Sequence, residues 1–437
     1  MQHSPQAFVM NFLNEVAEHY PAAISLAAGR PTQLLFDRLS PTDLLGALQR
    51  YERHLAEERG LRSAMSAVLQ YGRTAGMIEA LVAAQITKDD GVAASSDRLI
   101  ITAGCQEALA LSMAALCPEP TDVALVCNPT YIGATGAAQA SGVAVLPLCP
   151  ADGDIATQLA DADERLRREG RKARCIYLIP EFDNPTGYVI DQAQRKAILR
   201  ECSLRKIVVL EDNPYGMFRF DGQASPSMAS MDESGSVIYL STYSKTLCPG
   251  LRVGSLLLPE TIFGDREERL KLFENLSQRK SFFTVNTCQV AQAMVAGFLL
   301  EEGCSLRSWV RPAVDLYRSN RDTMLDALSR TFASSRQYVS WNRPDGGFFL
   351  SLRLPFHFDT QAVRRCALEF GVITMPMAFF AMDNTQDHLV RLAFSAVDAN
   401  QIEEGVAALG RYVLTRMDAA GLCHGTDNSV ALGREIS

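Results

Sequence analysis

Short unbroken apolar runs recur along the chain at 99–102, 123–127, 143–148, 175–180, 207–210, 237–240 and 253–258. They are rich in β-branched residues and do not alternate with polar ones. A strand apolar on both sides is covered on both sides. The runs therefore predict one mostly parallel, seven-stranded sheet between layers of helices. Most of the stretches between them read as helices. In such a sheet ligands bind beyond the carboxyl ends of the strands.

Outside this block the pattern changes. Residues 8–19 read as a short helix followed by an extended segment, and 38–90 as polar helix. A long helical region covers 262–333. Strands are predicted again at 338–341, 347–354, 372–375 and 389–394, which suggests a smaller C-terminal α/β domain. The expected organisation is an N-terminal arm and part of the small domain (1–45), a large domain (46–310), a small C-terminal domain (311–416) and a frayed polar tail (417–437). No internal repeat or low-complexity block interrupts it.

Composition narrows the function classes. The chain has 437 residues, 47% hydrophobic and 21% charged, as a soluble globular enzyme has. A net charge of −8 with no Lys/Arg block speaks against nucleic acid as a partner. Eleven scattered cysteines with no CxxC pair predict reduced thiols in a cytoplasmic protein, without disulfides or zinc. Met1-Gln2-His3-Ser4-Pro5 offers no signal-peptide pattern, and no apolar stretch is long enough to cross a membrane.

Candidate chemistry collects at the ends of the apolar runs. Lys245 stands in Ser241-Thr242-Tyr243-Ser244-Lys245-Thr246, with Arg252 following. Such a lysine suits a Schiff base with a phosphorylated aldehyde, whose phosphate the hydroxyls and the guanidinium hold. Asp212 closes the run at 207–210, with Tyr215 after it, and Asn184-Pro185-Thr186-Gly187 follows the run at 175–180. Ala103-Gly104-Cys105-Gln106 opens a helix after the first strand, so free amides there suit an anion. Arg391 lies inside an apolar strand, where an unpaired guanidinium is costly and a carboxylate ligand would pair it. Plain structural alternatives exist for each: a solvated Lys245, a turn or helix cap at Asp212 or Asn184, core packing for Tyr71 and Tyr131, an ion pair for Arg391.

Asn-Pro-Thr-Gly, then Asp-x-x-Tyr, then Ser-Lys with a following Arg, in that order, resemble the fold-type I aminotransferases that use pyridoxal 5′-phosphate (PLP). The resemblance runs over nearly the whole chain. It implies Lys245 as the Schiff-base lysine and proton carrier, Asp212 on the pyridine nitrogen, and Tyr215 and Asn184 on the ring hydroxyl. It implies a phosphate cup of Gly104, Cys105, Gln106, Thr242, Ser244 and Arg252, with the amide of Cys105 binding although the family usually has Ser, Gly or Ala there. Tyr131 would stack on the ring, and Tyr71 would reach the phosphate of a neighbouring subunit in a homodimer with composite sites. Gly29, Asn184 and Arg391 would hold the substrate carboxylate, with Arg30 nearby, and Pro129 and Pro185 would follow cis bonds. Asn11 to Ala17 and Ala27-Ala28-Gly29-Arg30-Pro31 look like a branch that includes dihydroxyphenylglycine transaminase and enzymes of unusual amino acids. The implied reaction moves an amino group between an α-amino acid and a 2-oxo acid. Its rivals are a PLP-dependent lyase, cyclase or decarboxylase, a sensor unit of a transcription regulator, and a nucleotide-binding domain, which lacks the G-x-G-x-x-G turn.

Overall fold

The computed structural model describes residues 15–422, with residues 17 and 384 excepted. Strand β1 (Ile24–Ser25) comes first, and the seven apolar runs then build one sheet. Its strands are β2 (Leu99–Thr102), β3 (Asp122–Cys127), β4 (Ala144–Leu148), β5 (Lys172–Leu178), β6 (Val208–Asp212), β7 (Val237–Thr242) and β8 (Gly254–Leu257), in the order β2-β8-β7-β6-β5-β3-β4. Strand β8 runs antiparallel to both neighbours and the other pairs are parallel. The sheet is thus mostly parallel, as the unbroken runs predict.

Period two along β3, β5 and β6 divides the core. Cys175, Tyr177, Val208 and Leu210 join the main hydrophobic cluster, while Ile176, Leu178 and Val209 join a second cluster on the opposite face. The same parity carries Asp212 to the face of Tyr177 and Glu211 to the other. Edge strand β4 is the only partly exposed one of the seven along most of its length, and it carries Pro147, which edges tolerate.

The second sheet is antiparallel, in the order β12-β13-β10-β9, from β9 (Ser340–Trp341), β10 (Phe349–Arg353), β12 (Met375–Pro376) and β13 (Leu389–Ala393). The strand expected at 372–375 is broken at Thr374. Its first half, β11 (Val372–Ile373), pairs in parallel with β1, while Met375–Pro376 joins the edge of the antiparallel sheet, where the missing N–H of Pro376 costs no ladder bond. Helix Arg307–Thr331 packs on helix Ala399–Ala419, which also touches β1 and β11. The latter runs past residue 417, where a tail was expected to begin, because Met417 is fully buried and anchors its last turn. The remainder of that tail, 423–437, lies outside the described residues, as does most of the predicted helix at 8–19; of it, 15, 16, 18 and 19 are helical. Among the described residues no helix is long and apolar enough to cross a membrane, and no His/Cys/Asp/Glu group could hold a metal.

Candidate active site

A cavity of about 580 Å³ lies at the carboxyl ends of β2, β6 and β7, where a parallel sheet places ligands. Gly29, Cys105, Gln106, Tyr131, Asn184, Asp212, Tyr215, Thr242, Ser244, Lys245, Arg252 and Arg391 all line it.

One end is built for a phosphate. Gly104 caps helix Cys105–Leu116 with φ +80 and no side-chain cap, so the first amides of the helix stay free. A Cβ at Gly104 would lie 2.3 Å from Nη2 of Arg252, so only glycine admits the guanidinium there. Arg252 itself sits at φ +52, a left-handed conformation that costs a non-glycine residue and gathers at functional sites. Its Nη1 donates to Ser244 Oγ (3.1 Å) and its Nη2 to the Ala103 carbonyl (3.2 Å). Ser244 and Thr242 hydroxyls are 3.1 Å apart beside it.

A brace behind this loop was not foreseen. The amide of Ala103 donates to Glu107 Oε2 (2.6 Å). Fully buried Lys280 donates to the same oxygen (2.8 Å), and Thr284 donates to Oε1 (2.7 Å). A buried pair costs desolvation, yet losing one partner costs more, because the other is left charged and dry. The pair fixes the loop that presents Gly104 and Cys105.

At the opposite end stands Asp212, 4% exposed. Its Oδ2 accepts from Tyr177 Oη (2.7 Å) and its Oδ1 from Cys105 Sγ (3.2 Å). Burial pushes its carboxyl up to about 6, opposed by the two hydrogen bonds and by Lys245. Burial and Asp212 drive the Tyr177 hydroxyl and the Cys105 thiol well above their usual ranges, so both remain donors. The sequence reading gave Cys105 only a backbone role and passed over Tyr177.

Lys245, half-buried, donates to the Gly29 carbonyl (3.3 Å). Burial lowers it to about 8, with Arg391 and Arg252 helping and Asp212 opposing. Arg391 is 4% exposed and has no carboxylate partner among the described residues. Its Nη1 donates to Asn184 Oδ1 (2.7 Å), its Nη2 to the Ala27 carbonyl (2.6 Å), and its Nε has no partner. Phe349 (4.2 Å) and Phe380 (4.7 Å) sandwich the guanidinium. Burial lowers even this group, to about 10. Among the described residues, then, no ion pair holds Arg391. A Cβ at Gly29 would lie 2.2 Å from Phe349 Cζ, so glycine keeps that backbone close.

Tyr131 lines the cavity wall, its hydroxyl 3.4 Å from Gln106 Oε1. Burial pushes it up to about 12. Asn128-Pro129 and Asn184-Pro185 are both cis. Tyr71 is the exception: it is 80% exposed and lies outside the cavity.

A protein-family model described as aminotransferase class I and II matches residues 24–409. The chain belongs to that family. This aminotransferase is 35% identical to (S)-3,5-dihydroxyphenylglycine transaminase of Amycolatopsis orientalis, over 94% of this chain and 93% of that one. It is 30% identical to aromatic-amino-acid aminotransferase 1 of Thermococcus litoralis, over 90% of this chain and 88% of that one. Among solved structures, a multiple substrate aminotransferase from Thermococcus profundus superposes with a TM-score of 0.79 at 27% identity, covering 96% of both chains. Class I and II aminotransferases work with PLP, and the residues present fit it: free helix amides and a guanidinium would suit the phosphate, a buried carboxylate would accept from the ring nitrogen, and a lysine lowered by burial lines the same cavity.

Proposed function

We propose that this PLP-dependent aminotransferase takes α-amino acids with aromatic or other bulky apolar side chains as donors and returns them as 2-oxo acids. The observation that carries the reading is buried Arg391, bonded to neutral partners between two phenylalanines, facing a wall that includes Leu109, Ile132, Ile373 and Met375. Such a guanidinium suits the α-carboxylate, and the apolar part of the wall, which also carries Arg30, suits an uncharged side chain. The relatives named for dihydroxyphenylglycine and aromatic amino acids support it, as does a place in specialised amino acid metabolism.

Bound PLP supplies an electrophilic carbon and a protonated ring that draws electrons from the substrate. The free amides of Cys105 and Gln106, with Thr242, Ser244 and Arg252, would hold its phosphate. Asp212 would keep the ring nitrogen protonated, and Tyr131 would cover the ring. Tyr215 and the amide nitrogen of Asn184 would serve the ring hydroxyl. Lys245, lowered to about 8, carries the proton at the substrate α-carbon. Gly29 and Asn184 share the carboxylate with Arg391.

A donor panel tests the substrate class. Phenylglycines, phenylalanine and tyrosine are expected to convert faster than aspartate or glutamate, each with an equal yield of amino acid from the added 2-oxo acid. A preference for acidic donors would discard the apolar reading.

The working unit we infer is a cytoplasmic homodimer with composite sites. Tyr71 (80% exposed), Leu69 (69%), Phe282 (80%) and Phe283 (76%) leave more apolar surface in water than a lone chain tolerates comfortably. Tyr71→Phe should weaken PLP binding roughly tenfold, the worth of one hydrogen bond to a charged group. Equilibrium dialysis checks this, and an unchanged affinity would place Tyr71 away from the phosphate.

A further inference from the structure

Among the described residues Asp212 is the one carboxylate that lines the cavity, and its two oxygens have different donors. Tyr177 comes from β5, one strand away in the sheet, and Cys105 from the first turn of the helix whose amides face the phosphate.

We propose that Tyr177 and Cys105 are a pair of positioning residues that hold Asp212 by both oxygens, keeping it ionised and aimed at the ring nitrogen. The inference rests on the PLP reading of the site, which places that nitrogen at Asp212. A carboxylate in a dry cavity tends to take up a proton, and one that can rotate loses its aim. A donor on each oxygen opposes both tendencies. The two donors also tie the ends of the site together. Cys105 offers its backbone amide to the phosphate and its thiol to Asp212, so a single residue sets the distance between phosphate cup and ring partner. Tyr177 is fully buried and rigid in the core, which makes it the stiffer of the two anchors. Lys245, Tyr131 and Tyr215 also face Asp212, and of these only Lys245 favours its charged form.

The sign of the effect follows. Both donors stabilise the charged carboxylate, so removing one raises the pH at which Asp212 takes up a proton. Function that needs the carboxylate is then lost earlier as the pH falls.

The test uses the full chain as holoenzyme in four forms: wild type, Tyr177→Phe, Cys105→Ala and Cys105→Ser. Tyr177→Phe keeps the ring and removes the donor. It should raise the PLP dissociation constant about tenfold and move the acid limb of the kcat profile up by about one pH unit, with KM for the amino acid within twofold. Cys105→Ala should shift both in the same direction by a smaller amount, and Cys105→Ser, which restores a donor, should return towards wild type. Equal behaviour of Cys105→Ala and Cys105→Ser would overturn the role of the thiol. A lower unfolding temperature with an unmoved acid limb and unmoved PLP affinity would overturn the whole proposal and leave Tyr177 a packing residue. PLP affinity is read without any amino donor, so a mistaken substrate class would leave this readout intact.

Discussion

Lys245→Ala is expected to give a folded protein whose turnover falls by at least about 10⁴-fold, the upper range for losing a positioned proton carrier. Chemistry at the substrate α-carbon needs a base close to it and neutral part of the time. Lys245 meets both needs, because burial with Arg391 and Arg252 beside it brings its amine down to about 8. At pH 7 about one lysine in ten is then neutral, against fewer than one in a thousand for an ordinary lysine. The fold should not suffer. The side chain makes one long hydrogen bond, to the Gly29 carbonyl at 3.3 Å, and its charge is repelled by two neighbouring guanidinium groups. Single-turnover amino transfer and thermal unfolding, measured side by side, decide the matter. Turnover within tenfold of wild type would remove Lys245 from the mechanism.

Arg391→Ala should lower kcat/KM for amino acids by about 10²- to 10³-fold, most of it in KM, since truncating one member of a buried charge pair costs about 2–5 kcal/mol. PLP affinity should change little, because the phosphate and ring ends are built by other residues. Some stability should also be lost, as the Ala27 carbonyl and Asn184 Oδ1 lose their donor. Arg391→Lys should recover only a part, since an ammonium cannot bridge Asn184, Ala27 and a carboxylate at once. Steady-state kinetics with the same donor across the three proteins checks this. An unchanged KM would move the carboxylate anchor elsewhere.

Much of the architecture was legible because burial on both faces leaves a plain mark: seven apolar runs became the seven strands of the sheet. The residues after those runs then fell around one cavity, since strand ends in a parallel sheet converge. What stayed hidden depends on contacts between distant segments. Tyr177 reads as one more apolar core residue until the register of β5 on β6 sets it beside Asp212. Lys280 sits in a helix whose other residues are mostly polar, and only the fold shows it fully buried on Glu107. Cys105 was read through its amide because its neighbours in sequence say nothing about the carboxylate its thiol meets. The break at Thr374 had a visible hint in Pro376, but the exchange of sheets needs β1 and β13 in place.

The two guanidinium groups differ in their access to water, and ionic strength should tell them apart. Arg252 is solvent-exposed in the chain, so dissolved ions screen its pull on a phosphate. Arg391 is 4% exposed and stacked on Phe349 and Phe380, so dissolved ions screen it far less. Added salt therefore loosens the cofactor while leaving the grip on the amino acid nearly untouched. A cell that becomes more saline would lose activity first through the loaded fraction of enzyme, and a purified sample would do the same on a high-salt column.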